Sequence, residues 1–238
     1  MKIALIGYGK MGKTIEKLAE SKGHEVVLKI DTDNRDDLKT GRLSEADVAI
    51  EFTRPESALD NIKAAMEAGV PIVSGTTGWL DQLDEIKAIC TQKKGAFFYA
   101  SNYSIGVNIF FAVNRYLARL MEPQEQYAIE MEEIHHTQKL DAPSGTAITL
   151  AQDILNEVSR KKYWVKEQSD DPEGLSIASK RIDSTPGTHE INYHSAIDSI
   201  TIRHTAHSRQ GFASGALMAA EWLIGKEGVF GMEDMLPM

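Results

Sequence analysis

Apolar runs of strand length and segments of helical period alternate through residues 1–103, the pattern of a parallel sheet with helices on both faces. Lys2 to Gly7 reads as a buried strand. Met11 to Ser21 places Met11, Ile15, Leu18 and Ala19 at helical spacing, and Gly23 ends it. Val26 to Ile30, Asp47 to Phe52, Val70 to Ser74 and Ala96 to Tyr99 read as further strands, with helices near Glu56 to Ala68 and Asp81 to Lys93. This is a nucleotide-binding layout.

After Tyr103 the character changes. An apolar helix runs from Ile105 to Leu120, and from Tyr127 to Ile134 the residues Tyr127, Ile129 and Met131 alternate against Glu130 and Glu132, as in an antiparallel or mixed sheet. A helix opening at Ser144 gathers Ala147, Leu150, Ala151, Ile154, Leu155 and Val158 on one face. Ser159 to Gly174 is charged and reads as loop. Ser176 to Ile182, Glu190 to Ser195 and Ser199 to Ala206 read as strands, Thr185-Pro186-Gly187 as a turn, and Phe212 to Leu223 as a closing helix. The pattern predicts an α/β chain, with a Rossmann-type domain over residues 1–103 followed by a second, α+β domain on an antiparallel or mixed sheet.

The glycine loop sharpens the first half. Gly7-Tyr8-Gly9-Lys10-Met11-Gly12 is G-x-G-x-x-G directly after a strand and before a helix, the context in which the motif binds a dinucleotide. Gly7 permits the tight turn, Gly9 lets backbone approach a pyrophosphate, and Gly12 allows close packing of helix on strand. Asp31 closes the second strand, where a carboxylate accepts hydrogen bonds from the adenosine ribose hydroxyls. That favours NADH, although Lys29 and Arg35 stand close enough in sequence to tolerate the extra phosphate of NADPH. A second glycine loop, Gly75-Thr76-Thr77-Gly78, follows a later strand: either an ordinary turn or part of the same ligand crevice.

Charge and cysteine content narrow the partners. The 238 residues hold 26 Lys and Arg against 35 Asp and Glu, a net charge of −9, and no basic run exceeds Arg160-Lys161-Lys162, so no nucleic-acid partner is expected. The single cysteine, Cys90, forms no intrachain disulfide and suits a reducing, cytoplasmic compartment; it reads as a small packed side chain. The N-terminal apolar run is too short for a signal peptide, and Gly95 to Asn114 is broken by Ser101, Asn102, Ser104, Asn108 and Asn114, unlike a membrane span.

The densest chemistry lies in Glu132 to Ala147, EEIHHTQKLDAPSGTA. His135, His136 and Lys139 supply titratable groups just before Ser144-Gly145-Thr146 opens a helix, whose free amides and dipole favour an anion by about 0.3 to 1 kcal/mol when exposed. Taken singly, these are ordinary residues: solvated histidines, a surface lysine, an N-cap serine. Together they suit protonation of an anionic substrate while its carboxylate is held. No metal is expected, because the adjacent histidines have no third soft ligand at the usual spacing and only Asp141 beside them. His189, His194, His204 and His207 lie on alternating segments and are read as facing solvent or a subunit contact.

This run resembles the E-x-H-H-x-x-K-x-D-A-P-S-G-T-A signature of the 4-hydroxy-tetrahydrodipicolinate (dihydrodipicolinate) reductase family, and the resemblance extends to GYGKMG, FTRPE at Phe52 to Glu56, GTTG at Gly75 to Gly78, ASNYSIGVN at Ala100 to Asn108 and GFASGALMAAEWL at Gly211 to Leu223. It implies an NADH- or NADPH-dependent reductase of lysine and diaminopimelate biosynthesis that acts on a small dicarboxylate with loss of water. It implies a cofactor domain of residues 1–103 completed by 209–238, a substrate and oligomerisation domain of 104–208 whose open sheet builds a homotetramer, and closure about a hinge. Carried over by position, the resemblance makes His135 the proton donor and Lys139 its assistant, and gives His136, Ser144, Gly145 and Thr146 a substrate carboxylate. Gly7, Tyr8, Gly9, Lys10, Met11, Gly12, Gly75, Thr76, Thr77, Ala100, Ser101, Asn102 and Tyr103 would line the cofactor. Arg181, Gly187 and His189 resemble a further family stretch, R-x-G-x-x-x-G-x-H, but Asp183 stands where glycine is usual, which puts the local turn in question. Thr32 follows Asp31 where many relatives carry a base, so NADH is expected to serve at least as well as NADPH. Two other readings are a different two-domain dehydrogenase, and a nucleotide-sensing module that would need the glycine loop but neither His135 nor Lys139.

Overall fold

Strands that are apolar at every position need cover on both faces, and the chain supplies it. In the computed structural model, which describes residues 1–167, 169–208 and 210–237, the order is β1 (Lys2–Ile6), α1 (Lys10–Ser21), β2 (Glu25–Ile30), β3 (Val48–Glu51), α2 (Pro55–Glu67), β4 (Ile72–Ser74), α3 (Leu83–Lys93) and β5 (Ala96–Tyr99). There follow α4 (Ile105–Met121), β6 (Ala128–His135), α5 (Gly145–Glu157), β7 (Tyr163–Lys166), β8 (Gly174–Arg181), β9 (Gly187–His194), β10 (Ser199–Ala206), α6 (Gln210–Leu223), β11 (Gly228–Phe230) and α7 (Met232–Met235). The chain divides into one unit of Met1–Ile105 with Gln210–Met238 and another of Gly106–Arg209. Two ends of the expected closing segment, Arg209 and Met238, lie outside the described residues.

The first unit is a six-stranded parallel sheet in the order β11-β5-β4-β3-β1-β2. Alternate residues of each strand face opposite layers. Ile3, Leu5, Ile50, Val73 and Phe98 pack with Ile15 and Ala19 of α1 and with Ala213, Ala216, Leu217 and Ala220 of α6. Ala4, Ile6, Ala49, Ile72 and Phe97 pack with Ala58, Ile62 and Ala65 of α2 and with Ile86 and Cys90 of α3. Burial raises the Cys90 thiol above its ordinary pKa, in keeping with a packed side chain rather than a nucleophile. The strand order reverses about β1, so the loops leaving β1 and β3 part there and open a crevice at the carboxyl ends. Neither β11 nor α7 announced itself, because three or four residues are too few to leave a periodic mark.

The second unit is a five-stranded mixed sheet in the order β10-β9-β6-β8-β7. β9 runs antiparallel to β10 and β6, whereas β8 is parallel to β6 and β7. Phe110 and Ala118 of α4 and Leu150, Ala151 and Ile154 of α5 cover one face through Ile129, Met131, Ile177, Ile191 and Tyr193. The expected loop over Ser159 to Gly174 is corrected by β7, an edge strand whose Trp164 pairs with Leu175. Flanking lysines disguised it. Lys161 is structural too, its Nζ donating to the carbonyls of Pro172 and Gly174 at 2.9 and 2.7 Å. The turn before β9 needs no glycine at Asp183: the positive φ there, 59°, belongs to Ser184.

Within the first unit α6 comes close to the backbone at Tyr103 because Gly215 has no side chain. A β-carbon there would lie 1.7 Å from the Tyr103 carbonyl oxygen. Gly215→Ala should therefore cost about 1–3 kcal/mol through forced backbone movement, read as a lowered midpoint in thermal or urea unfolding. An unchanged midpoint would contradict this packing.

Candidate functional sites, one in each unit

The glycine loop of the first unit divides its labour by sterics. Gly7 has φ of +96°, and a β-carbon on it would sit 2.0 Å from the Phe52 carbonyl oxygen; one on Gly12 would sit 2.3 Å from the Gly7 carbonyl oxygen. Gly9 differs. It is the N-cap of α1 without any side-chain cap bond, no acidic residue occupies the first turn, and nothing lies within 4 Å of where its β-carbon would be. That is open space in front of free helix amides, suited to an anion. A cleft of about 570 Å³ opens there, lined by Gly7, Gly9, Asp31, Thr32, Arg35 and Thr53 among others, and Met11, Gly75, Thr76 and Thr77 line a second of about 330 Å³. Both are built on the carboxyl ends of the central strands. The residues fit a dinucleotide: pyrophosphate at Gly9, and ribose hydroxyls at the exposed Asp31, which accepts from the Thr32 amide at 2.9 Å.

Some expected cofactor residues sit otherwise. The Tyr8 hydroxyl donates to Glu16, which also takes Lys29 at 2.8 Å, so Tyr8 and Lys29 are engaged along α1. Lys10 and Ser101 are exposed, and Ala100 is buried. Tyr103 is buried, with its hydroxyl donating to the Ser74 carbonyl at 2.7 Å, so its ring is a strut beneath the loops and only its backbone is left to a ligand. The Asn102 side chain accepts from the Ser104 amide at 2.9 Å.

In the second unit the strand β6 alternates, with Ile129, Met131, Glu133 and His135 facing in. Glu133 is fully buried, and what surrounds it explains the run after it. Both its oxygens accept from the Ser144 amide, at 3.1 and 3.0 Å, which fixes the start of α5. Arg181, from the end of β8, reaches Glu133 Oε1 at 3.3 Å and also donates to the carbonyls of Lys139 and Asp141, at 3.2 and 2.6 Å. One guanidinium thus staples the whole loop to a buried carboxylate. Burial alone would raise the Glu133 carboxyl, but bonds from Ser144 and Ser179 and the nearby His135 hold it below the ordinary range.

His135 Nδ1 lies 3.5 Å from Glu133 Oε2, leaving Nε2 as the atom that faces Gly187, where a β-carbon would come within 3.2 Å. The ring of His189 stands edge-on to it, with centroids 5.0 Å apart. Burial lowers the pKa of His135, with Lys139 and Arg181 acting in the same direction and Glu133 opposing. His189 is pushed down to about 4 by burial and then by His135, so it is neutral at pH 7. Ser144 Oγ, which accepts from the Ala147 amide, lies within hydrogen-bond distance of His189 Nε2, at 3.2 Å. Lys139 Nζ rests on Asp141 at 2.8 Å, and His136 is half-buried nearby in sequence. The amides of Gly145 and Thr146 open α5 and have no acceptor within it.

The reading of His189 as solvent-facing is therefore corrected: it is buried beside His135. Its signal was present, since His189, Ile191 and Tyr193 share the buried face of β9. Glu133 was equally legible as the next inward step after Ile129 and Met131. Ligand atoms of Glu133, His135 and His189 lie within 4.8 Å of one another, the layout of a three-ligand metal site. The carboxylate is already committed to Ser144 and Arg181, and an ion there would face that guanidinium, so this donor set suits a hydrogen-bonded cluster better than a metal.

Comparison with known proteins covers both units. The family model for the dihydrodipicolinate reductase N-terminus matches residues 1–103, and that for the C-terminus matches residues 106–236. A 4-hydroxy-tetrahydrodipicolinate reductase of Christiangramia forsetii is 50% identical over 99% of this chain and 98% of its own. One from Methanosarcina acetivorans is 36% identical over 98% and 88%. Among solved structures, a dipicolinate-bound dihydrodipicolinate reductase from Paenisporosarcina shares the fold, with a TM-score of 0.79 at 24% identity over 99% of both chains.

The neutral buried histidine has a consequence for stability. Below its unfolded pKa, near 6.5, the unfolded chain binds a proton at His189 that the folded chain refuses until about 4, so stability falls as pH drops through that window. The loss should reach about 3 kcal/mol at most. Urea unfolding at pH 7 and pH 4.5 should show a lower midpoint in acid, and His189→Gln, which cannot gain the proton, should flatten that difference. An equal fall in the variant would reject the assignment.

Proposed function

The chain belongs to the dihydrodipicolinate reductase family, and we propose that it reduces 4-hydroxy-tetrahydrodipicolinate to tetrahydrodipicolinate, with loss of water, in lysine and diaminopimelate biosynthesis. The observation that carries this reading is the pairing, in one chain, of an uncapped helix start under a glycine loop with an imidazole, an ammonium and a second helix start after β6. NADH or NADPH, when bound along Gly7 to Gly12, Asp31 and Gly75 to Thr77, supplies the hydride.

The chain's own residues do the rest. Hydride added to a carbon conjugated with an imine sends an electron pair to the ring nitrogen, and His135 delivers a proton there from Nε2 while Glu133 at Nδ1 stabilises the protonated ring beforehand. Lys139 assists. An anionic substrate competes with Asp141 for its ammonium, bringing a cation to the charge that develops. The amides of Gly145 and Thr146, with Ser144 and His136, hold a substrate carboxylate, as the dipicolinate carried by the Paenisporosarcina protein suggests for a planar dicarboxylate. Under this reading residues 1–103 with 209–238 form the cofactor domain, residues 104–208 form the substrate and oligomerisation domain, and the working enzyme is a cytoplasmic homotetramer. Among the described residues no helix is long and apolar enough to cross a membrane.

Mixing the protein with freshly generated substrate should consume NADH at least as fast as NADPH, given Thr32 after Asp31; no turnover with either would remove the proposal. His135→Ala and Lys139→Ala should each lower kcat by about 100-fold or more while leaving NADH affinity within a few-fold. Pyridine-2,6-dicarboxylate should compete with substrate, and indifference to it would count against the carboxylate site at Ser144 to Thr146.

A further inference from the structure

Glu51 ends β3 at the point where the strand order reverses, and it is completely buried. No cation pairs with it among the described ion pairs. Three hydroxyls surround it instead: Ser74 Oγ at 2.6 Å, Thr76 Oγ1 at 2.8 Å, and Thr53 Oγ1. Thr53 Oγ1 is already an acceptor from Ser57 and Asn61, both at 3.1 Å, and Thr76 Oγ1 accepts from the Thr53 amide at 2.8 Å, so each has its own hydrogen left for Glu51. Three hydroxyls able to donate satisfy the oxygens of a carboxylate without a counter-ion.

The cage lies under the cofactor clefts. Thr53 lines both of them and Thr76 lines the second, so each contributes backbone or side chain to the wall while its hydroxyl points to Glu51. With pyrophosphate at Gly9 and the adenosine ribose at Asp31, on the β1 and β2 side, the nicotinamide half of an extended dinucleotide runs toward the ends of β3 and β4, where Glu51 and Ser74 pair in register. Nicotinamide is neutral when reduced and positive when oxidised. A fixed buried anion interacts with the second form only, through a low-dielectric wall that screens it poorly.

We propose that Glu51 sets the charge of the nicotinamide end of the cleft, holding its loops in place and favouring the oxidised, positively charged ring over the reduced one, which lowers the cost of giving up hydride. The inference rests on the cofactor reading above and on nothing in the substrate site.

The test is binding, not turnover. Dissociation constants for NAD⁺, NADH and ADP-ribose, measured by calorimetry on the full chain and on Glu51→Gln, separate charge from shape. The ratio of the NAD⁺ to the NADH constant should rise roughly three- to tenfold in the variant while ADP-ribose binding holds. Glu51→Asp, which keeps the charge, should preserve the ratio within about twofold. Equal weakening of all three ligands, or loss of the ratio in Glu51→Asp as fully as in Glu51→Gln, would make Glu51 a structural support and overturn the proposal. Should Glu51→Gln not fold, Glu51→Gln with Ser74→Ala removes the donor that has lost its acceptor, and the same ratio is read there. A chain that binds both dinucleotides but fails to reduce the substrate rejects the proposed reaction and leaves this inference standing. One that binds neither dinucleotide rejects both.

Discussion

A carboxylate taken wholly out of water must be met on all sides by donors, and in this protein that requirement is placed at the carboxyl ends of strands, where ligands bind. Glu133 is the clearer case. Its two oxygens demand hydrogen bonds, and the groups that answer are the amide that begins α5 and the guanidinium that holds the carbonyls of Lys139 and Asp141. The loop carrying His136 and Lys139 has few apolar contacts of its own, as the almost wholly exposed Leu140 indicates. Its shape comes from the buried charge beneath it. Removing one partner of such a cluster typically costs about 3–5 kcal/mol, far more than exposed ion pairs such as Lys87 with Asp84 contribute, so the cluster dominates local stability.

Glu51 repeats the device with different donors. Where Glu133 is neutralised by Arg181, Glu51 is met by hydroxyls, which stabilise the charge without cancelling it. The difference suits what each unit binds. In the proposed reaction the second unit takes an anion, and its buried carboxylate comes with an arginine and with a helix N-terminus whose first amide it binds. The first unit takes a cofactor that is anionic at the pyrophosphate and cationic at the oxidised nicotinamide, and under the proposed reading the free helix amides at Gly9 and the carboxyl group of Glu51 serve opposite ends of it. A net charge of −9 obstructs neither, because the arrangement of charge within a few ångströms outweighs a field screened by salt over about 8 to 10 Å.

Periodicity made the sheet of the first unit legible because its strands, such as Val48–Glu51, are buried at every position and its helices keep a strict apolar face. It failed at β7, where four residues lie among lysines, and at β11, where three glycine-led residues carry no alternation. In the sites, residue types that advertise chemistry were readable: His135, Lys139, Ser144 and the three glycines. How they are held was not, because the pairing of a buried glutamate with its partners is a tertiary fact. Glu133 and Arg181 are far apart in sequence, and nothing local to either announces the other. Strand alternation was the one clue, since it puts Glu133 and His189 on inward faces where apolar residues are expected, and a polar residue at such a position marks a hydrogen-bonded cluster.

The two buried imidazoles show how a shared environment separates roles. His135 and His189 both approach Glu133 Oε2, at 3.5 and 3.7 Å, and both lose proton affinity to burial. The balance differs between them. Burial and then His135 push His189 down to about 4, and its Nε2 rests 3.2 Å from Ser144 Oγ, so this ring stays neutral and braces the first turn of α5. Glu133 opposes burial at both rings, but at His135 it is the largest influence after burial, whereas at His189 the lowering effect of His135 comes before it. A proton therefore settles on His135 in preference to His189, and its Nε2 looks past a glycine rather than a side chain. Had both rings titrated alike, neither would be a defined acid. By keeping one neutral, burial leaves the other to serve as the acid in the proposed reaction, and the serine that contacts the neutral ring is the residue whose amide anchors the loop to Glu133.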